Sequence, residues 1–300
     1  MKLCLILSNM PKVKEVLKRI RKIEIKTNKL VEGLIAGNYH SVFKGRGIEF
    51  SEVREYIPGD DIRTIDWKVT ARFNLPFVKE FIEERDLDIY IVFDCSASNE
   101  FGFEKSKKEI GVDIAASIMF SAIKNNDNVG LCLFTDHIEK FIRPRKGKKF
   151  VLRLLRELIY YQPKNKKTNI ENSLIHLSKI IKKRGILFIL SDFLSGNFEK
   201  PLKFLKNKHD VILIKLSDSR ERELPDIGYI LLEDKETGEQ VLVNTSDQKF
   251  REIYNKKVEE ENKRLLNKMK KFKIDIIQAD TEHPFYVPLV KFFNLRTRRR

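Results

Sequence analysis

Apolar residues follow one another along this chain in two rhythms. Short continuous runs, Ile89 to Phe93, Val129 to Phe134, Ile186 to Leu190 and Val211 to Leu216, are rich in β-branched and aromatic side chains. Such runs predict strands buried on both faces of a parallel sheet. Elsewhere the apolar positions recur every three or four residues, as in Ile110, Ile114, Ala115, Ile118, Met119 and Ile123, and predict helices over 105–125, 150–161, 198–206, 247–272 and 284–295. Another helix is headed by Thr168, with Asn169 or the threonine itself as its cap and Ile170, Leu174, Ile175 and Leu177 as its apolar face. His137 to Ile142 returns beside the strand before it, Tyr229 to Val243 forms a hairpin around KETGE, and 273–278 is a last strand. Strands alternating with helices predict an α/β fold: a doubly wound, mostly parallel, Rossmann-like sheet with helices on both faces.

The rhythm is different ahead of Asp86. Residues 11–36 carry Val13, Val16, Leu17 and Ile20 at helical spacing and predict a basic helix interrupted around Ile23 to Thr27, suited to packing on its own domain, a partner or a membrane surface. From Gly37 to Glu84 periodicity fades, apart from an alternating strand in LPFVKEFIEE, and Pro58, Gly59 and Asp60 mark a turn. Arg54, Asp60, Asp61, Arg63, Asp66 and Arg72, around the only tryptophan, Trp67, read as a salt-bridged network that fixes an irregular segment against the sheet, or as acids for a second cation. The organisation expected is an N-terminal segment over 1–84, a main domain over 85–245, and 246–300 completing it.

Composition narrows this picture. Three hundred residues with 42% apolar and 34% charged suffice for one large α/β domain with an appended segment. The 59 basic against 43 acidic residues leave +16, which attracts polyanions. The excess is mostly lysine scattered over the whole length, a solvated surface rather than a reading head for nucleic acid, and the RTRRR tail reads as solvated or as a contact for an acidic partner. Cys4, Cys95 and Cys132 form no CxxC pair, the profile of a reduced compartment. No stretch approaches the roughly 20 apolar residues that span a bilayer, and a cytoplasmic protein is expected. The amphipathic pattern begins at Pro11, so Met10 serves as well as Met1 for a start.

The chemistry concentrates where the strands end. Ile89 to Ser98 reads IYIVFDCSAS, so Asp94 stands at a strand's C-terminal edge with Ser96 and Ser98 just beyond. Ligands bind at that edge in open α/β sheets. Asp94, Ser96 and Ser98 offer hard oxygens of the kind Mg²⁺ takes; alternatively Ser96, Ser98 and Asn99 cap the helix that follows. Thr168 follows a basic loop, and Asp192 follows the buried run ILFIL and Ser191. These five residues should meet on one rim as an oxygen-only site.

DCSAS, KTNIENSL and LSDF together resemble the metal-ion-dependent adhesion site of von Willebrand factor A domains, where D-x-S-x-S, a distant threonine and a later aspartate hold Mg²⁺. The flanking sequence resembles the domain-of-unknown-function 58 family: GRGIEFSEVREYIPGDDIRTIDW and PLVKFF match its long motif and its C-terminal P-L-x-x-F run, over roughly residues 30 to 300. The resemblance implies a von Willebrand factor A-like fold and Mg²⁺, or Mn²⁺, at Asp94, Ser96, Ser98, Thr168 and Asp192, with hydroxyls ligating directly and aspartates through water. It also implies a non-catalytic adaptor working with MoxR-type AAA+ ATPases, the ion taking an acidic residue of the partner. Asn99 stands where many such domains have methionine, a departure expected to touch packing more than ligation.

Other classes predict other behaviour. A metal-dependent phosphoesterase or nuclease would use the ion to activate water, but the sequence holds no G-x-x-x-x-G-K-[ST], H-E-x-x-H or G-x-S-x-G motif, and His40, His137, His176, His209 and His283 are widely separated. A protein that binds nucleic acid or a membrane surface by charge would lose affinity with salt and ignore chelation.

Overall fold

A computed structural model describes residues 18, 20–25, 27, 49–82, 86–100, 106–165, 167–194, 196–234, 236 and 238–298. The chain divides into two compact units, one of Phe43–Leu87 and one of Asp88–Arg300 with the described residues of Met1–Val42.

In the smaller unit, β1 (Glu49–Glu55) pairs antiparallel with β2 (Phe77–Ile82), with α1 (Trp67–Phe73) between them in sequence. The segment is therefore regular where an irregular one was expected. A register shift between Phe50 and Glu52 interrupts the two-residue alternation, which is why β1 does not announce itself in the pattern. The expected charge network also differs. Arg54 forks onto Asp60 through two bonds of 2.7 and 2.9 Å, closing the Pro58-Gly59 turn, where Gly59 has φ +113°. The other acids cap: Asp61 accepts from Arg63 N, and Asp66 accepts from Lys68 N and Val69 N at the start of α1. Asp66 also pairs with Lys79 at 3.5 Å, whereas Arg63, Arg72 and Trp67 are exposed.

In the larger unit, residues 20–25 continue as helix through part of the expected interruption, because Ile20 and Ile23 share a buried face; the rest of 11–36 lies largely outside the described residues. A six-stranded sheet is built from β3 (Asp88–Asp94), β4 (Asn128–Phe134), β5 (Ile138–Arg145), β6 (Ile186–Ser191), β7 (Asp210–Ser217) and β10 (Asp275–Asp280). Its order is β10-β7-β6-β3-β4-β5, and every pairing is parallel except β4 with the edge strand β5. The fold is α/β with a doubly wound, mostly parallel sheet. The helices are α2 (Lys107–Lys124), α3 (Lys148–Tyr160), α4 (Ile170–Ile180), α5 (Glu199–Lys208), α6 (Ser219–Arg222), α7 (Gln248–Lys271) and α8 (Tyr286–Arg298), and β8 (Tyr229–Glu233) pairs with β9 (Gln240–Asn244) as a separate hairpin.

The continuous apolar runs do cover both faces. Tyr90, Val92, Leu187, Ile189, Val211 and Leu213 pack in one core with Ile170, Leu174 and Leu177 of α4, Leu202 and Leu205 of α5 and Met269 of α7. Phe93 lies against α2, so close to Gly111 that a Cβ there would stand 2.8 Å from its ring. Two side chains depart from expectation. Ile175 is exposed, and Ser173 takes the place on the buried face of α4. Arg296, in the tail read as solvated, is instead paired with Asp210 and with Asp275, the latter at 3.5 Å. The family run PLVKFF falls in α8, where Leu289 and Phe293 are fully buried.

Candidate functional site

From β3 the chain leads through α2 to β4 on one side, and from β6 through α5 to β7 on the other. Their neighbouring C-terminal ends therefore form the switch point of the sheet, the place where its connections part and leave a crevice. Asp94 ends β3, and Ser191 ends β6 with Asp192 directly after it.

Asp94 is fully buried and held at both oxygens: Ser96 N donates to Oδ1 at 3.0 Å, and Ser191 Oγ to Oδ2 at 2.7 Å. Burial, and after it the charge of Asp192, push the Asp94 carboxyl up to about 6, against hydrogen bonds from Ser191 and Ser96 that lower it. Ser191 Oγ accepts from Phe193 N at 3.1 Å, which leaves its proton for Asp94. Phe193 has φ 55°, a conformation strained for a bulky side chain, and its ring is buried beside Phe198. Ser96 Oγ and Ser98 Oγ stand 3.0 Å apart.

These residues do not cap the helix after them. The cap of α2 is Ser106, in a reciprocal box with Glu109. Asn99 is engaged in more than packing: its Nδ2 donates to the carbonyl of Asp94 at 3.0 Å, while its buried Oδ1 has no partner among the described residues.

Asp192 is held by a residue the sequence did not single out. Lys107, with no exposed side-chain surface, donates from Nζ to Asp192 Oδ2 at 3.0 Å and to Glu221 Oε1 at 2.7 Å, and Leu194 N donates to Asp192 Oδ1. The carboxylates of Asp94, Asp192 and Glu221 gather around the Lys107 ammonium, and Lys215 also acts on Asp192 and Glu221, so acidic and basic groups are interleaved at this rim.

Thr168 arrives through β4. Asn169, not Thr168, caps α4, accepting from Asn172 N, and the Asn169 amide donates to Thr135 O just beyond Phe134, the register partner of Asp94. The loop before it is fixed by Glu139, which accepts from Tyr161 OH, Lys164 N, Asn165 N and Thr135 Oγ1. Burial raises the Glu139 pKa, but these donors outweigh it and hold the carboxyl below its usual range. Thr168 itself turns to the hairpin: its N and Oγ1 donate to the two oxygens of Glu236, at 2.9 and 2.5 Å. The structure thus brings all five expected residues to one sheet edge. It closes contacts among Asp94, Ser96 and Ser98, and engages Asp192 with Lys107 and Thr168 with Glu236.

The described thiols, Cys95 and Cys132, are both buried. Cys95 is buried and its pKa is pushed up to about 12, mainly by burial, so it is a thiol rather than a thiolate at neutral pH.

Residues 52–264 match the family described as protein of unknown function DUF58. The chain belongs to the DUF58 family. The uncharacterized protein Rv1480 of Mycobacterium tuberculosis is 31% identical over 223 residues, 73% of this chain and 70% of the relative. Among solved structures, an aerotolerance-related membrane protein from Bacteroides fragilis aligns at TM-score 0.46 and 12% identity, covering 71% of this chain and 100% of that one. The conserved hypothetical protein BatB from Bacteroides thetaiotaomicron aligns at 0.45 and 11%, with the same coverage. The DUF58 match takes in both compact units, every expected ligand and Glu236, and leaves β10 and α8 outside it. Among the described residues no helix is long and apolar enough to cross a membrane.

Proposed function

We propose that this DUF58 protein is a non-catalytic, cytoplasmic adaptor in which Asp94, Ser96, Ser98, Thr168 and Asp192 hold one Mg²⁺, or Mn²⁺ in its place, and bind an acidic residue of another protein. The von Willebrand factor A-like character of the site and a MoxR-type AAA+ ATPase as the partner belong to the same proposal. One observation carries it: two buried carboxylates stand at the C-terminal ends of the two strands that flank the switch point, Asp94 closing β3 and Asp192 directly after β6, with the serine hydroxyls beside Asp94.

The donors fit a hard divalent cation. Asp94 and Asp192 already accept protein donors, each oxygen keeping a lone pair for bound water, while Ser96, Ser98 and Thr168 have hydroxyl lone pairs for direct ligation. Asn99 Oδ1 is a buried acceptor without a described partner, which a water of a hydrated ion would satisfy. When bound, the ion supplies a Lewis-acidic position for a carboxylate.

The chain's own residues prepare that position. Ser191 orients the Asp94 carboxylate, Lys107 fixes Asp192 in place, and Glu139 sets the loop that delivers Thr168. Immobilised protein should capture a purified MoxR-type ATPase in Mg²⁺ and release it in EDTA, and Asp94→Ala with Ser96→Ala should abolish capture in a variant whose circular dichroism remains native. Capture indifferent to both EDTA and the double substitution overturns the reading.

A further inference from the structure

The hairpin of β8 and β9 is held both at its root and at its tip. At its root, Thr245 N and Oγ1 donate to Gly228 O, Ile227 N donates to Thr245 Oγ1, and Ser246 Oγ donates to Asp226. Between the ends its strands are open to solvent, with Tyr229, Leu231 and Leu242 all exposed. At the tip, Glu233, Asp234, Gly238 and Glu239 are exposed and Glu236 alone among the described turn residues is drawn in. The turn is shaped to present it. Glu236 N donates to Asp234 Oδ1 at 2.8 Å, Gly238 N donates to Asp234 O at 2.7 Å, and Gly238 adopts φ +76°.

What Glu236 grips is one residue: Oε2 takes the amide of Thr168, and Oε1 takes its hydroxyl. A carboxylate is the group that the ion reading assigns to the partner, and Thr168 is one of the residues assigned to the ion. We propose that Glu236 is a built-in occupant of the partner's place, so that an incoming acidic group has to displace it and, in doing so, releases the hairpin tip from Thr168. The proposal rests on the ion reading above. Its consequence is a lowered apparent affinity: if the tip is docked nine-tenths of the time, a competing carboxylate binds about tenfold more weakly than it would to an open site.

Acetate, titrated into full-length protein with and without Mg²⁺ and followed at the Thr168 amide by NMR, is a sufficient probe. Wild type, Glu236→Ala and Glu236→Gln are compared, with hydrogen exchange over 229–244 as the second readout and Mg²⁺ uptake by calorimetry as the third. The expected result is Mg²⁺-dependent acetate binding about tenfold tighter in Glu236→Ala, with Glu236→Gln intermediate. Hairpin exchange should be faster in Glu236→Ala, and in wild type once acetate and Mg²⁺ are both present. If all three proteins take up Mg²⁺ but bind acetate alike, or the hairpin exchanges alike, the latch falls and the ion reading stands. If none takes up Mg²⁺, the ion reading falls and this proposal with it.

Discussion

Lys107 shows how much of the site depends on single side chains set far apart in sequence. Burial pulls its ammonium pKa down, but Asp192 and Glu221 outweigh burial and hold it above the ordinary lysine value. Its partners lie 85 and 114 residues away, so three segments meet at one nitrogen. Lys107→Met would leave Asp192 buried without its counter-charge, and should lower unfolding stability by roughly 3 kcal/mol in urea denaturation at neutral pH. A smaller paired charge is visible at acid pH. Hydrogen bonds from Arg54, then Ile57 N, lower Asp60 from 3.8 to about 2. Its contribution is therefore complete above 3.8 and lost as pH falls through about 2. Thermal melts across that range should show Arg54→Gln less stable than wild type at pH 5 and converging with it on acidification. At this scale the sequence was legible where the chemistry is local: Asp94, Ser96 and Ser98 fall within five residues and are found together. Ser191 stood beside an expected ligand, and its bond to Asp94 spans 97 residues. Lys107 and Glu236 carried no local signal; one sits in the first turn of a helix among other lysines, the other in an ordinary hairpin turn.

Elements were legible in proportion to how fully they are buried. The runs that became β3, β4, β6 and β7 are almost continuously apolar because both faces are covered, and their shortness, β-branched content and bounding turns favour strands over helices. β1 does not show in the pattern because a bulge breaks its alternation, and Arg296 alone among the described tail arginines departs from the solvated reading, drawn into pairing with two carboxylates that only the fold places beside it. The helix α2 is buried over most of its surface, and Gly111 lets it approach β3. At an exposed helical position, glycine to alanine stabilises by about 1 kcal/mol. Here the added methyl would meet the Phe93 ring at 2.8 Å and Leu216 at 2.9 Å. Overpacking of that kind costs roughly 1–3 kcal/mol, so Gly111→Ala should destabilise the protein in the same denaturation assay, the opposite of the exposed-site outcome.

On the scale of the whole molecule, topology converts scattered residues into a site. Neither Asp94 nor Asp192 is chemically unusual alone; they become neighbours because β3 and β6 are adjacent, parallel and depart in opposite directions. The alternation of strands and helices made the parallel sheet legible, and with it the edge on which the five oxygens fall, whereas strand order is a property of long-range pairing that the pattern does not encode. The net charge of +16 is spread over the whole chain, whereas the rim at the strand ends gathers the carboxylates of Asp94, Asp192 and Glu221, so the composition and the site point to different binding partners. Salt and chelation separate the two, and direct titration of the ion separates them most plainly. Mg²⁺ titrated calorimetrically into wild type should bind as one ion per chain, and Ser96→Ala with Thr168→Ala should weaken it by about tenfold or more while the thermal melt stays cooperative. No Mg²⁺ or Mn²⁺ uptake by the wild type, or equal uptake by the double variant, would contradict a cation held at these residues.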